Sequence, residues 1–137
     1  MKLIKKRFLI NDYVYDQHLI VYVGYTAIEV INKLKKNTKE DITIIQNNLK
    51  NTETGACYFR VPGIYESFIW IPEFDFNAEL VSSLTHEVVH HVNNTLPPRG
   101  ILLSKETDEV YAYYTAGIFK EILTKIVEEY YKINNLK

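Results

Sequence analysis

The sequence has one cysteine, no strong excess of charge of either sign and no long apolar run, and each absence excludes a class of protein. Cys57 alone cannot form an intramolecular disulfide or a cysteine-rich zinc ribbon. Sixteen basic residues against seventeen acidic residues leave a net charge of −1, so no overall field attracts nucleic acid or anionic lipid. No apolar run approaches the roughly 18 residues of a membrane span. We therefore expect no nucleic-acid partner and no membrane partner.

The N-terminal segment begins with basic residues, as a signal peptide does. Its apolar stretch, residues 8–10, ends at Asn11 and Asp12 and is too short for the hydrophobic region of a signal peptide. This pattern predicts a cytoplasmic protein. The composition, 47% hydrophobic and 24% charged, predicts one soluble domain over residues 1–137.

The first half of the chain predicts short strands and one clear helix. The strand segments are rich in β-branched and aromatic residues and comprise residues 3–10, 19–23, 57–61 and 67–71. Thr26 can cap a helix that continues to about Lys36, whereas residues 42–49 are ambiguous between helix and strand. Pro72 directly follows Ser67–Ile71, and an edge strand tolerates such a neighbour better than a central strand does.

The second half predicts two long helices. The first begins at the N-cap Asn77 and continues to residues 93–94, with apolar residues every four positions at Leu80, Leu84, Val88 and Val92. A loop with two prolines follows, and the second helix spans residues 105–131. Early strands and late helices predict an α+β fold, in which a small mixed or antiparallel sheet packs against both helices.

The motif H-E-x-x-H lies in the first of these helices, at His86, Glu87 and His90. Residues four apart share one face of a helix, so both imidazoles can reach a single zinc ion. The glutamate beside the first histidine can take a proton from water that the metal activates. The two histidines lie opposite the apolar face, which leaves a second interpretation open, namely an ordinary solvated polar surface.

Glu109 is the candidate third ligand. An apolar stripe in the second helix, projected backward, begins at this residue; its members are Ala112, Ala116, Phe119, Leu123, Val127 and Tyr130. Burying a carboxylate at the start of a core-facing stripe costs free energy unless a cation such as zinc neutralises its charge. Glu106 and Asp108 flank the stripe and are poorer candidates. The alternative for Glu109 is a helix-start carboxylate that the helix dipole favours.

These motifs resemble the gluzincin class of zinc metallopeptidases, in which a glutamate on a later helix follows the two histidines. Glu109 lies 19 residues after His90, a separation typical of that class. The stretch from Arg99 to Tyr113 also resembles small phage- or prophage-encoded proteins predicted to be metallopeptidases. The resemblance covers roughly residues 68–119 and leaves the first half of the chain unmatched.

The resemblance implies a zinc site formed by His86, His90 and Glu109, with Glu87 as the general base. The sequence departs from larger gluzincins in two respects. Tyr113 stands where they often have an aspartate that orients a zinc histidine, and only one helix remains of the C-terminal subdomain that supplies a side chain to the oxyanion.

The resemblance also implies a peptide or protein substrate that adds as a strand to the edge of the sheet. Ser67–Ile71 would be that edge strand, with Phe68, Ile69 and Trp70 as the substrate-binding residues.

Several other residues have a functional and a structural interpretation. Arg99 is either a substrate clamp or oxyanion donor, or an ordinary loop arginine. A phenol that stabilises the oxyanion could come from one of three tyrosines, although packing is the better explanation for any single one: Tyr111, Tyr113 and Tyr114. His91 lies beside the apolar stripe and is predicted to be a packed, hydrogen-bonded histidine, and Cys57 to be a small buried apolar residue.

The predicted function is zinc-dependent hydrolysis of peptide bonds. One alternative is a non-catalytic binding protein that keeps the metallopeptidase frame, such as a structural or regulatory protein of a phage or mobile element. Another is hydrolysis of a non-peptide amide. The sequence does not predict an oligomeric state.

Overall fold

The computed structural model describes residues 2–52 and 55–136. These residues form an α+β fold, as predicted, with the α-helices and strands in the following order: β1 (Lys6–Ile10), β2 (Leu19–Val23), α1 (Ala27–Asn37), α2 (Thr43–Asn51), β3 (Cys57–Arg60), β4 (Ser67–Ile71), α3 (Ala78–Thr95) and α4 (Asp108–Ile133). A short 3₁₀ turn, Pro97–Arg99, follows α3. In the described part of the chain, no helix is both long enough and apolar enough to cross a bilayer.

The sheet is mixed and its strand order is β1-β2-β4-β3. The β1–β2 and β3–β4 pairs are antiparallel, whereas β2 and β4 are parallel. Parallel neighbours need a crossover connection, and here α1, α2 and β3 lie between them in the chain. The two central strands are therefore far apart in sequence although they are adjacent in the sheet.

The prediction that Ser67–Ile71 is an edge strand is wrong. β4 lies between β2 and β3, and all five of its residues are buried. Phe68, Ile69 and Trp70 are only 2%, 0% and 3% exposed, because helices cover both faces of the sheet at this strand. An unbroken apolar run is the pattern of such a strand. Pro72 follows the last residue of β4 and so removes no hydrogen bond from the strand.

Each face of the sheet has its own hydrophobic core. On one face, β-strand residues such as Ile69 pack with α3 and α4. On the other face, Phe68 and Trp70 pack with α1 and α2. The Trp70 ring also donates a hydrogen bond from Nε1 to the Tyr25 carbonyl oxygen, 2.9 Å away, so its polar atom is satisfied.

Helix α3 follows the predicted amphipathic pattern. The Asn77 side chain caps it by accepting a hydrogen bond from the Leu80 backbone N–H at 2.8 Å. The predicted apolar residues are all buried, and they are Leu80, Leu84, Val88 and Val92. The opposite face, which carries His86 and His90, is exposed.

Helix α4 is rotated about its own axis, so that the face it buries differs from the predicted one. Its buried residues are Tyr111, Ile118, Ile122 and Ile126, whereas Ala112 and Ala116 of the predicted stripe are exposed. Burying branched and aromatic side chains removes more apolar area from water than burying alanines, so this orientation is favoured. Glu109 consequently does not lead the buried stripe, and it is exposed in the first turn of α4.

Candidate functional site

The two histidines of the motif form a close pair. His86 and His90 lie one turn apart on the exposed face of α3, and their Nε2 atoms are 3.0 Å from each other. Two nitrogens that bind one tetrahedral zinc ion at ~2.1 Å are about 3.4 Å apart. A side-chain shift of a few tenths of an ångström would accommodate the ion. The two histidines could therefore occupy two of the four coordination positions of a tetrahedral zinc ion.

The part of the chain that the structure describes brings no third ligand to this pair. Within residues 2–52 and 55–136, no three side chains of His, Cys, Asp or Glu are grouped so that they could hold a metal ion. Glu109 is exposed on α4, and the buried stripe that favoured it in the sequence lies on another face. Its assignment as a ligand stays a prediction.

Glu87 lies beside the histidine pair and contacts the sheet. Its Oε2 accepts a hydrogen bond from the backbone N–H of Tyr58 in β3 at 2.7 Å. Since β3 is an edge strand, this N–H would otherwise face away from the sheet without a strand partner. Burial and the negative charge of Glu87 raise the pKa of the neighbouring Cys57 thiol. Cys57, predicted to be a small buried apolar residue, is partly buried against the core. Glu87 thus holds its carboxylate at the junction of α3 and β3.

Strand β3 is the sheet edge that α3 borders. Besides the Glu87 contact, the Ser83 hydroxyl accepts a hydrogen bond from the backbone N–H of Ala56 at 2.9 Å, just before β3. Both contacts come from one side of α3, one turn apart. An extended ligand near the histidine pair would therefore meet the edge of β3 and not β4.

Tyr58 is a site residue that the sequence did not reveal. Its ring stacks on the His90 imidazole, with 6.3 Å between ring centroids and 22° between planes, and it meets the His91 ring edge-on at 6.2 Å. Its hydroxyl lies 3.3 Å from the Ser67 hydroxyl. These contacts limit the orientations of His90. The only signal in the sequence is an aromatic residue in a strand, which is common to many positions.

His91 is fully buried and hydrogen-bonded, as predicted. Its Nε2 lies 3.1 Å from the Tyr114 hydroxyl, which donates to Asp12 Oδ2 at 2.6 Å. Because the Tyr114 proton points to Asp12, His91 must donate from Nε2, and no described residue bonds its Nδ1. Burial lowers the pKa of His91 to about 4, so the ring is neutral at pH 7.

The hydrogen bonds with His91 and Asp12 engage Tyr114, which is one of the tyrosines considered for stabilising an oxyanion. Burial, together with the Asp12 carboxylate, raises the pKa of Tyr114. Tyr111 is also engaged, since its hydroxyl donates to the Ile101 carbonyl oxygen at 2.6 Å. Tyr113 is 75% exposed. Packing and hydrogen bonding therefore explain Tyr111 and Tyr114 without an oxyanion.

Arg99 acts as a clamp within the protein. Its guanidinium donates to the Tyr15 carbonyl oxygen, to the Thr95 carbonyl oxygen at 2.9 Å and to the Asp16 carbonyl oxygen at 3.2 Å. The Tyr65 hydroxyl also donates to the Asp16 carbonyl oxygen. These bonds tie the β1–β2 loop to the end of α3. They give Arg99 a structural role that neither sequence interpretation included.

The candidate site thus consists of an exposed imidazole pair, a carboxylate on the same helical turn and an aromatic residue from an edge strand. Comparison of the chain with protein-family models, with curated proteins and with solved structures finds no match.

Proposed function

We propose that this protein is a zinc-dependent hydrolase of peptide bonds, in which His86 and His90 bind the metal and Glu87 is the general base. The observation that carries this proposal is the Nε2–Nε2 distance of 3.0 Å on the exposed face of α3, with Glu87 beside it. Zinc, when bound, supplies Lewis acidity that activates water and polarises a carbonyl oxygen. The likeness of residues 68–119 to gluzincins supports the same assignment.

Glu87 can perform both proton transfers of the reaction. One of its carboxylate oxygens is held by the Tyr58 N–H at 2.7 Å, which leaves the other oxygen as an acceptor. In the proposed reaction the carboxylate accepts a proton from the attacking water and then donates it to the leaving amine. The contact with Tyr58 fixes the carboxylate relative to the sheet edge, and such positioning reduces the entropy that the reaction must lose.

The substrate that fits this arrangement is an extended peptide. Strand addition requires a sheet edge, and β3 is the edge that α3 borders. Glu87 already accepts the bond of the Tyr58 N–H, so a peptide would pair with the other outward backbone groups of β3. The peptide is therefore proposed to add to β3, in place of the strand addition to β4 that the sequence predicted.

Glu109 is the proposed third ligand. A catalytic zinc ion takes three protein ligands and leaves its fourth position open, so two histidines alone do not complete the site. Glu109 is exposed in the first turn of α4, where its side chain is not held by the core. A carboxylate is one of the ligand types that zinc accepts beside two histidines.

A metal-binding protein without hydrolase activity is the second candidate. Two observations favour it: the described residues group only two ligands, and the Tyr58 N–H already engages Glu87. In that case zinc would bind without turnover of any peptide. Hydrolysis of a non-peptide amide uses the same residues and differs only in substrate.

Zinc titration tests the metal site directly. The wild-type chain is expected to bind one zinc ion, measured by calorimetry and by metal analysis after dialysis. His90→Asn is expected to weaken binding by well over tenfold, since losing even an outer partner of a ligand costs roughly 10- to 100-fold. Asn93→Ala, an exposed change on the same helix, is the control and should bind zinc normally. A wild-type chain that binds no zinc, or binding that His90→Asn leaves intact, would contradict the proposal.

A further inference from the structure

Helix α4 has a second apolar face that the core covers only in part, since Phe119 and Leu123 also pack against the core. We call it the outer face of α4, and it comprises Ala112, Ala116, Phe119, Leu123 and Val127. The two alanines are exposed, and the other three side chains are only partly buried. Two shallow grooves, of about 430 and 440 Å³, border this face, and Thr85 of α3 also lines the first of them. Apolar side chains that line continuous grooves on a helix favour a partner helix.

Charged residues border the outer face on one side in a self-complementary pattern. Lys120, Thr124 and Glu128 succeed one another at intervals of four residues, so they lie on one flank of the helix. All three line the same groove as Leu123 and Val127. Lys120 and Glu128 carry opposite charges and are equally distant from Thr124 along the helix.

This symmetry identifies the partner that fits. When two copies of a helix pack antiparallel about a twofold axis, each residue meets the residue equally distant from the axis in the other copy. With the axis at Thr124, Lys120 of each copy lies opposite Glu128 of the other. A flank with charges of one sign only would instead suit a different partner of opposite charge.

We propose that the outer face of α4 binds a second copy of this chain, with the two α4 helices antiparallel and two Lys120–Glu128 pairs across the interface. Phe119, Leu123 and Val127, which lie near the axis, supply the buried surface. The charge pairs fix the register and orientation of the helices. This inference is independent of the proposed hydrolase activity.

Charge reversal tests the proposed dimer. Sedimentation velocity and light scattering over a concentration series give the Kd for dimerisation. Lys120→Glu and Glu128→Lys should each raise this Kd by about tenfold or more, because each places like charges opposite each other twice. The double variant Lys120→Glu/Glu128→Lys restores opposite charges and should return the Kd to within about threefold of the wild-type value.

Lys39→Glu, the same charge change at an exposed site between α1 and α2, is the control and should leave the Kd unchanged. Circular dichroism checks that every variant is folded. A wild-type chain that is monomeric throughout the series would overturn the proposal. So would a dimer that tolerates both single reversals, or a double variant that associates as weakly as the single variants.

Discussion

Replacing Glu87 with Gln is expected to lower peptide hydrolysis by about 10²- to 10⁴-fold, the usual contribution of a general base, while zinc remains bound. The substituted amide keeps an oxygen that can accept the Tyr58 N–H bond seen at 2.7 Å, so the junction of α3 and β3 should survive. The amide cannot accept a proton from water, however. The measurement pairs single-turnover hydrolysis of a peptide library with metal analysis of the same sample.

Glu79→Gln provides the matched control for this experiment. It makes the same chemical change at an exposed position on the same helix, and the expected result is unaltered hydrolysis. Activity that persists in Glu87→Gln with zinc bound would remove Glu87 from the mechanism. A wild-type chain that binds zinc stoichiometrically and cleaves no peptide would favour the non-catalytic candidate instead.

Replacing Ile126 with Ala is expected to destabilise the fold by about 2–5 kcal/mol, the usual cost of truncating a buried aliphatic side chain. Ile126 is 0% exposed and lies in the core between α4 and the sheet. Val127, its neighbour on the outer face, is only partly buried, and Val127→Ala is expected to cost less than about 1 kcal/mol. Urea unfolding of both variants, at concentrations where the chain is monomeric, gives the two values.

The comparison of these two variants tests the rotation of α4. The sequence interpretation placed Val127 in the core stripe and did not include Ile126. Equal destabilisation by the two substitutions, or a larger effect of Val127→Ala, would contradict the observed orientation. A large effect of Ile126→Ala alone would confirm it.

Helical periodicity correctly predicts the buried face of α3 but not that of α4. In α3, the residues between the predicted apolar positions are mostly polar, with Val81 and Val89 as exceptions, so one face is clearly the more apolar. The predicted face is the one observed to be buried. In α4, apolar residues such as Ile122 and Leu123 occupy adjacent positions and fall on different faces. Periodicity predicts that such a helix packs, but the fit to the sheet decides which face does so.

The position of β4 in the sheet also depended on long-range pairing. Its parallel partner β2 lies almost 50 residues earlier, and nothing local to Ser67–Ile71 specifies that pairing. The edge-strand prediction came from the resemblance to gluzincins and from Pro72, which concerns only the end of the strand. The unbroken apolar run was the better signal for a central position.

At the candidate site, too, local contacts can be predicted from the sequence and long-range contacts cannot. The spacing of His86 and His90 predicts their proximity because one helical turn brings them together. The contact of Glu87 with Tyr58 joins residues 29 positions apart, and the Tyr114 bond to Asp12 joins residues 102 positions apart. Contacts of this kind depend on the tertiary fold and have no local sequence signature.

The most direct test is an anomalous-scattering map at the zinc absorption edge from crystals grown with zinc. The proposal predicts one strong peak per chain at ~2.1 Å from the Nε2 atoms of both His86 and His90, with the Glu109 carboxylate as the third protein ligand. A peak bonded to both histidines but not to Glu109 would correct the ligand set. The absence of any peak at the histidine pair would contradict the metal site, and with it the proposed hydrolase.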